Sequence, residues 1–316
     1  MLKWLLDSDP TLRWQVERDL ADAPPEVWTA TRHKIATEGF GAQLLARQDP
    51  DGQWAGGAFF PAQFTPGPDT GQPWTATTWS LNMLREWGLD SAVLRARRTA
   101  ELIAENSRWE YDNLPYWDGE VDVCINAWTL ANGGWLGVDV SQLAHWFPAH
   151  QLADGGWNCE WVDGSKRSSF HSTLNAVKGL LAYDIATGGT DETHAARRAG
   201  EEYLLERRLL YRLSTGEQVA SWVDHFAYPV RWHYSAINAV EHFREAAIVD
   251  DLPPDPRLSD AVERVRAARQ PDGTWLQDGR LNGDMWFEVD VPAGEPSKWL
   301  TLYGTRILSW WDSAQS

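Results

Sequence analysis

Cysteine is nearly absent. The 316 residues include two, Cys124 and Cys159, too few for the disulfide framework of a small secreted domain. No apolar run approaches the ~20 residues that cross a bilayer, so no integral membrane segment is expected. The opening residues, Met1-Leu2-Lys3-Trp4-Leu5-Leu6-Asp7, meet an acid too early for a signal-peptide core, and a cytoplasmic location is the expectation. Basic residues are scarce: 28 Lys and Arg stand against 45 Asp and Glu, a net charge of −17. That argues against nucleic acid and anionic membrane surfaces as partners, and against a polyanionic substrate without a metal or a local basic cluster. Nor does any segment keep the two-residue alternation of a half-buried strand over a useful length.

What the chain does have is tryptophan, 21 of them, within a 43% hydrophobic composition. Such abundance suits aromatic-lined repeats or an aromatic cavity. Residues 1–36 read as a helical N-terminal extension. Asp9-Pro10 starts a helix, Leu12, Val16 and Leu20 share a face, and Pro24-Pro25 ends it. Residues 26–47 give another helix.

A turn then recurs three times: Gln48-Asp49-Pro50-Asp51-Gly52-Gln53-Trp54, Gln151-Leu152-Ala153-Asp154-Gly155-Gly156-Trp157 and Gln270-Pro271-Asp272-Gly273-Thr274-Trp275. Asp-Gly is turn chemistry, and each Trp is placed to pack back over the helix that the Gln ends. These are read as structural staples. Five apolar helices are expected at 74–89, 121–136, 170–183, 232–243 and 299–310, with amphipathic helices between them at 91–106, 140–150, 192–210 and 258–269. Aligned by their entries, Thr75, Cys124, His171, His233 and Leu300 fall at one level. An outer amphipathic helix, a turn and an inner apolar helix, repeated, close into a ring of paired helices. The expected fold is therefore all-α, an α/α toroid over residues 37–316. The turns and paired helices, over roughly residues 40–312, resemble the squalene cyclase and prenyltransferase β-subunit superfamily. Its members are α/α toroids whose inner helices surround an aromatic cavity.

Zinc needs thiolate, imidazole or carboxylate ligands converging from different elements. Asp122 in an entry loop and Cys124 in the first turn of its helix can converge, and a helix N-terminus favours both anions. His171 enters at the same level one repeat later. Three protein ligands leave a fourth position open, as in catalytic zinc sites. The pattern resembles the zinc site of the protein farnesyl- and geranylgeranyltransferase β-subunits, where an Asp-x-Cys at one inner helix joins a His at a later one. The resemblance implies Zn2+ on Asp122, Cys124 and His171. Cys159, if it joined them, would close the site.

The chain departs from those transferases just upstream. They carry basic residues where the prenyl diphosphate sits; here the stretch is Tyr116-Trp117-Asp118-Gly119-Glu120, in which acids would repel a diphosphate. The expected function is thus a zinc-dependent enzyme acting on a small hydrophobic, isoprenoid-like or aromatic substrate that is not a prenyl diphosphate. Tyr116, Trp74, Trp117, Trp128 and Trp232 are the expected aromatic contacts. His233 is the expected proton carrier, with His225, beside Asp224, as a second. Glu110, Asp112, Asp118 and Glu120 form an acidic approach. One alternative is a metal-independent class II terpene cyclase with Asp122 as proton donor, since Glu120-Val121-Asp122-Val123 resembles a degraded Asp-x-Asp-Asp motif. Another is a non-catalytic binder of a hydrophobic ligand.

Overall fold

The computed structural model describes residues 1–67 and 70–315. They are mostly helical. In chain order the helices are α1 (Leu2–Leu6), α2 (Pro10–Asp19), α3 (Pro25–His33), α4 (Gly39–Leu45), α5 (Thr77–Glu86), α6 (Ser91–Ala96), α7 (Thr99–Asn106), α8 (Val123–Leu136), α9 (Ser141–Ala149), α10 (Phe170–Thr187), α11 (Asp191–Glu206), α12 (Ala236–Val249), α13 (Ser259–Ala267) and α14 (Lys298–Ser313). The only sheet among the described residues is one antiparallel pair, β1 (Trp275–Leu276) with β2 (Pro296–Ser297), registered Trp275 to Ser297. No described helix is long and apolar enough to cross a membrane.

The five expected apolar helices are α5, α8, α10, α12 and α14. Each neighbours the next: α5 packs on α8, α8 on α10, α10 on α12, and α12 on α14. Amphipathic α9, α11 and α13 lie against them. The first and last parts of the chain also meet. The α2 helix packs on α14, Arg306 pairs with Asp19 at 3.3 Å, and the Tyr303 hydroxyl donates to Glu86 Oε1 at 2.6 Å. Leu12 and Val16 belong to the main core, so the N-terminal helices share it.

The three recurring turns share one set of hydrogen bonds around their glycine and tryptophan. Gly52, Gly155 and Gly273 take φ of +88°, +90° and +89°, the left-handed region that glycine enters without penalty. The indole N–H of Trp54, Trp157 and Trp275 donates to the carbonyls of Leu44, Phe147 and Val265, at 2.8–2.9 Å. Their backbone N–H groups donate to the hydroxyls of Thr77, Thr173 and Thr301, in α5, α10 and α14, at 3.0–3.1 Å. Each turn therefore bolts the end of one helix to the first turn or two of an apolar helix.

Three expectations on boundaries are corrected. The helix expected over 26–47 is broken into α3, a 3-10 turn at Lys34–Ala36 and α4. Gly39 has φ +65°, and Asp9 accepts from both Thr11 N and Phe40 N, capping two helices with one carboxylate. The helix over 91–106 divides at Arg98, whose φ is +57°. The helix expected from 232 begins at Ala236 instead: Arg231 is left-handed at +55° and Ser235 is extended, so Trp232 and His233 lie in the loop before it.

Candidate metal centre

Helix α8 begins at a cap. Asp122 is extended, and its Oδ1 accepts from Cys124 N at 2.7 Å and Ile125 N at 3.2 Å. That satisfies two of the donors a helix start leaves free and turns Cys124 inward on the first turn. Asn126 closes the approach. Its amide donates to the Glu120 carbonyl and its oxygen accepts from Glu120 N, both at 2.7 Å.

The third group comes from a 3-10 turn, Cys159–Asp163. Asn158 caps it, and the Trp161 indole donates to the Val121 carbonyl at 2.8 Å, fastening the turn to the α8 entry. Ser172 on α10 accepts from Cys159 N and donates to its sulfur, at 3.1 and 3.2 Å. Cys159 Sγ then lies 3.1 Å from Asp122 Oδ1 and 3.4 Å from Cys124 Sγ. One ligand atom each from Asp122, Cys124 and Cys159 lies within 4.8 Å of the others, a group that can hold a metal ion. A tetrahedral ion with metal–sulfur bonds of about 2.3 Å needs its sulfurs about 3.8 Å apart. The two thiols need only separate by a few tenths of an ångström. Oδ1 already has three donors, which leaves Oδ2 of Asp122 for an ion.

His171, expected as the third ligand, is not in this group. It lines the same cavity, but its Nδ1 accepts from Tyr234 N at 2.9 Å. A neutral imidazole with Nδ1 accepting carries its proton on Nε2, so Nε2 is a donor in this arrangement and has no lone pair for a metal. Burial, then the neighbouring His233, hold its pKa down to about 4. The Cys124 thiol is pushed up, first by its contact with Cys159 and then by burial. Glu120 is raised by burial.

The cavity beside the cluster has a volume of about 320 Å3. Phe59, Trp128 and Trp232 supply its aromatic walls; Glu160 joins Asp122 as its acids, and no Lys or Arg is among its lining residues. Trp79 stands behind Trp128 at a ring separation of 4.8 Å, and Trp74 packs edge-on against Trp79 at 4.7 Å. The Arg231 guanidinium lies over Trp74 at 4.9 Å. Tyr116 and Trp117 are elsewhere. They pack in the main core on Trp109 and on the Ala100 carbonyl, because the 3-10 turn that carries them (Tyr116–Asp118) faces away from the cavity. Glu110 accepts from Phe59 N and Phe60 N and so positions the cavity wall.

The His233 ring lies against Trp232 at 4.0 Å, tilted by 36°, and 5.4 Å from the His171 ring. Its buried Nδ1 has no partner among the described residues. His225 is oriented by Asp278, Nδ1 to Oδ2 at 2.7 Å, and not by the adjacent Asp224, which pairs with Arg264. A larger cleft of about 830 Å3 opens elsewhere, between Trp4, Phe40 and Trp299. Four of its acids are engaged in structure: Asp9 caps helices, Asp272 caps the turn at Thr274, Glu288 pairs with Arg280, and Asp290 accepts from the Ser297 hydroxyl.

Cys159 is the member of the group that helical register places below His171, since it sits in a loop outside the helical repeat. Its available signal was position: two residues after the Trp of a staple, and therefore next to the helix the staple bolts down. No family model matches the chain, and neither a curated protein nor a solved structure matches it.

Proposed function

We propose that this chain is a zinc-dependent enzyme built on a closed α/α ring of the terpenoid cyclase and prenyltransferase type, acting on a small hydrophobic substrate in the cavity walled by Phe59, Trp128 and Trp232. One observation carries the reading: a carboxylate and two thiols from two chain segments converge in the wall of an aromatic cavity. The ring reading is supported by the order in which the apolar helices neighbour one another and by the contacts of α14 with α2 and of Tyr303 with Glu86.

Two sulfurs and one carboxylate suit zinc, for which thiolates are preferred ligands and carboxylates accepted ones. Bound there, zinc would supply Lewis acidity toward a substrate oxygen, or activate a water or thiol. Asp122 Oδ2, Cys124 and Cys159 would hold it, leaving one position open. His171, neutral at pH 7, presents an N–H donor in the same cavity. His233 has an unpartnered ring nitrogen and is the proposed proton carrier, with the His225–Asp278 pair behind it. The absence of Lys and Arg from the cavity lining favours an uncharged substrate over a diphosphate. Asp122 fits proton-initiated cyclisation poorly, because its Oδ1 serves as acceptor for two backbone N–H groups and a thiol. A reducing, cytoplasmic compartment suits two thiols held side by side as metal ligands.

Metal analysis tests the reading. The purified chain, zinc-loaded and dialysed, is expected to retain about one zinc per chain. Cys124→Ala and Cys159→Ala lose it. Asp122→Asn loses most of it while keeping the helix cap, since Asn caps as well as Asp. His171→Ala keeps it. A chain that stays metal-free through a zinc titration overturns the proposal and leaves hydrophobic-ligand binding in its place.

A further inference from the structure

The same two sulfurs have a second chemistry. Both cysteines are free, one buried and one half-buried, and Cys124 Sγ lies 3.4 Å from Cys159 Sγ. They are the chain's only cysteines, separated by 35 positions in sequence, yet they face each other in one cavity wall. A disulfide requires a sulfur separation of about 2.05 Å. Closing the gap needs each sulfur to move by roughly 0.7 Å, within reach of side-chain rotation and a small adjustment of a short turn. Cys159 sits in such a turn, held by the Trp161 and Ser172 hydrogen bonds, whereas Cys124 is fixed in the first turn of α8.

The geometry points to a reversible dithiol–disulfide centre at Cys124 and Cys159, oxidised by small-molecule disulfides that reach it through the cavity. Cys159 is the partly exposed member and attacks first. Its thiolate bonds to one sulfur of the oxidant disulfide and releases the other half as a thiolate. Cys124 gives its proton to solvent, attacks the Cys159 sulfur, forms the intramolecular bond and expels the second thiolate. Two protein thiols become one disulfide, one oxidant disulfide becomes two thiols, and two electrons pass from protein to oxidant; the two protons end on the released thiols. Asp122 Oδ1 accepts from the Cys159 thiol at 3.1 Å before it ionises, and the Ser172 hydroxyl, donating to Cys159 Sγ at 3.2 Å, keeps the sulfur aimed at its partner through the exchange.

The consequence for metal rests on the zinc reading; the bond itself does not. Oxidation would remove two of three proposed ligands at once, so the metal-bound and disulfide forms exclude each other. The full chain, stripped with a chelator, is treated with excess oxidised glutathione, then analysed by thiol titration under denaturing conditions and by intact mass. Free thiols are expected to fall from two to none, with loss of two hydrogens, no glutathione adduct, and full recovery on reduction. The Cys124→Ser chain should instead trap glutathione on Cys159. Two thiols still titratable, or wild-type chain accumulating the adduct, overturns the proposal. Prior zinc loading should slow the reaction at least tenfold. Equal rates in a chain shown to bind zinc overturn the exclusion. A chain that binds no zinc yet forms the bond refutes the metal reading and leaves the dithiol centre standing.

Discussion

Single residues in this molecule divide their work atom by atom. Asp122 gives one oxygen to two backbone donors and a thiol and keeps the other free, so helix start and candidate ligand share one side chain. His171 spends Nδ1 on Tyr234 N, which decides the character of Nε2. Away from the centre, Asp290 shows the same dependence on surroundings. Burial pushes its pKa up to about 6, against the opposing hydrogen bond from the Ser297 hydroxyl at 2.6 Å. An unfolded aspartate titrates near 3.9. Between about pH 4 and 6 the folded chain therefore holds a proton that the unfolded chain has lost. Stability from this group is fully present below the unfolded value and is lost as pH rises through the folded one, by on the order of 2–3 kcal/mol. Asp290→Asn keeps an oxygen for the Ser297 hydroxyl and carries no charge. The variant is expected to unfold at a higher temperature than wild type at pH 7.5, with the difference shrinking toward pH 4. Matching melting curves at both pH values would contradict this.

Among elements, helices α8 and α10 make the contact that sets the candidate centre, since Cys124 and Asp122 belong to one and Ser172, which holds Cys159, to the other. Gly179 lets them close: a Cβ there would stand 2.6 Å from the Ala127 carbonyl oxygen and 2.8 Å from its Cα. Ala127 is one turn beyond Cys124. Gly179→Ala gains about 1 kcal/mol of helix propensity, but the neighbours are backbone and cannot rotate away, and overpacking costs about 1–3 kcal/mol or more. The clash wins. A lower melting temperature is expected together with weaker zinc binding; a more stable variant would show that the two helices are not in close contact. Much of this layer was legible in the sequence. The staples were recognisable from Gln, Asp-Gly and Trp, and the apolar helices from their runs. The threonines that receive each Trp N–H were not, because Thr77, Thr173 and Thr301 lie 16 to 26 residues beyond their turns and only the fold brings them in. They also correct the register: two residues before each stand Thr75, His171 and Trp299, so the last helix enters one residue earlier than Leu300 suggested. His233 drops out of that level because the left-handed Arg231 delays α12 to Ala236.

At the scale of the whole molecule, ring and row differ in how the ends matter. Sequence periodicity gives inner and outer helices in either case, and reveals one candidate thiol at a helix start while leaving Cys159, in a loop outside the period, without a register. What periodicity cannot carry is closure, which depends on contacts between residues nearly the full chain length apart. Arg306 with Asp19 and with Gln15 are such contacts, and Tyr303 with Glu86 spans 217 positions. In an open row of helix pairs each unit rests only on its neighbours, so deleting the last unit leaves the first ones intact. In a closed ring the last helix also supports the first. Deleting residues 298–316 removes α14, whose Trp299, Leu300, Leu302, Ile307 and Trp311 are buried, and strips the cover from α2 and from the end of α5. The ring reading therefore predicts that amide protection in α5 falls along with that in α13, and that the truncated chain loses its single cooperative thermal transition. Protection that survives in α5, α8 and α10 with a sharp transition would mean an open row, and the aromatic cavity would then have to be a groove rather than the mouth of a ring.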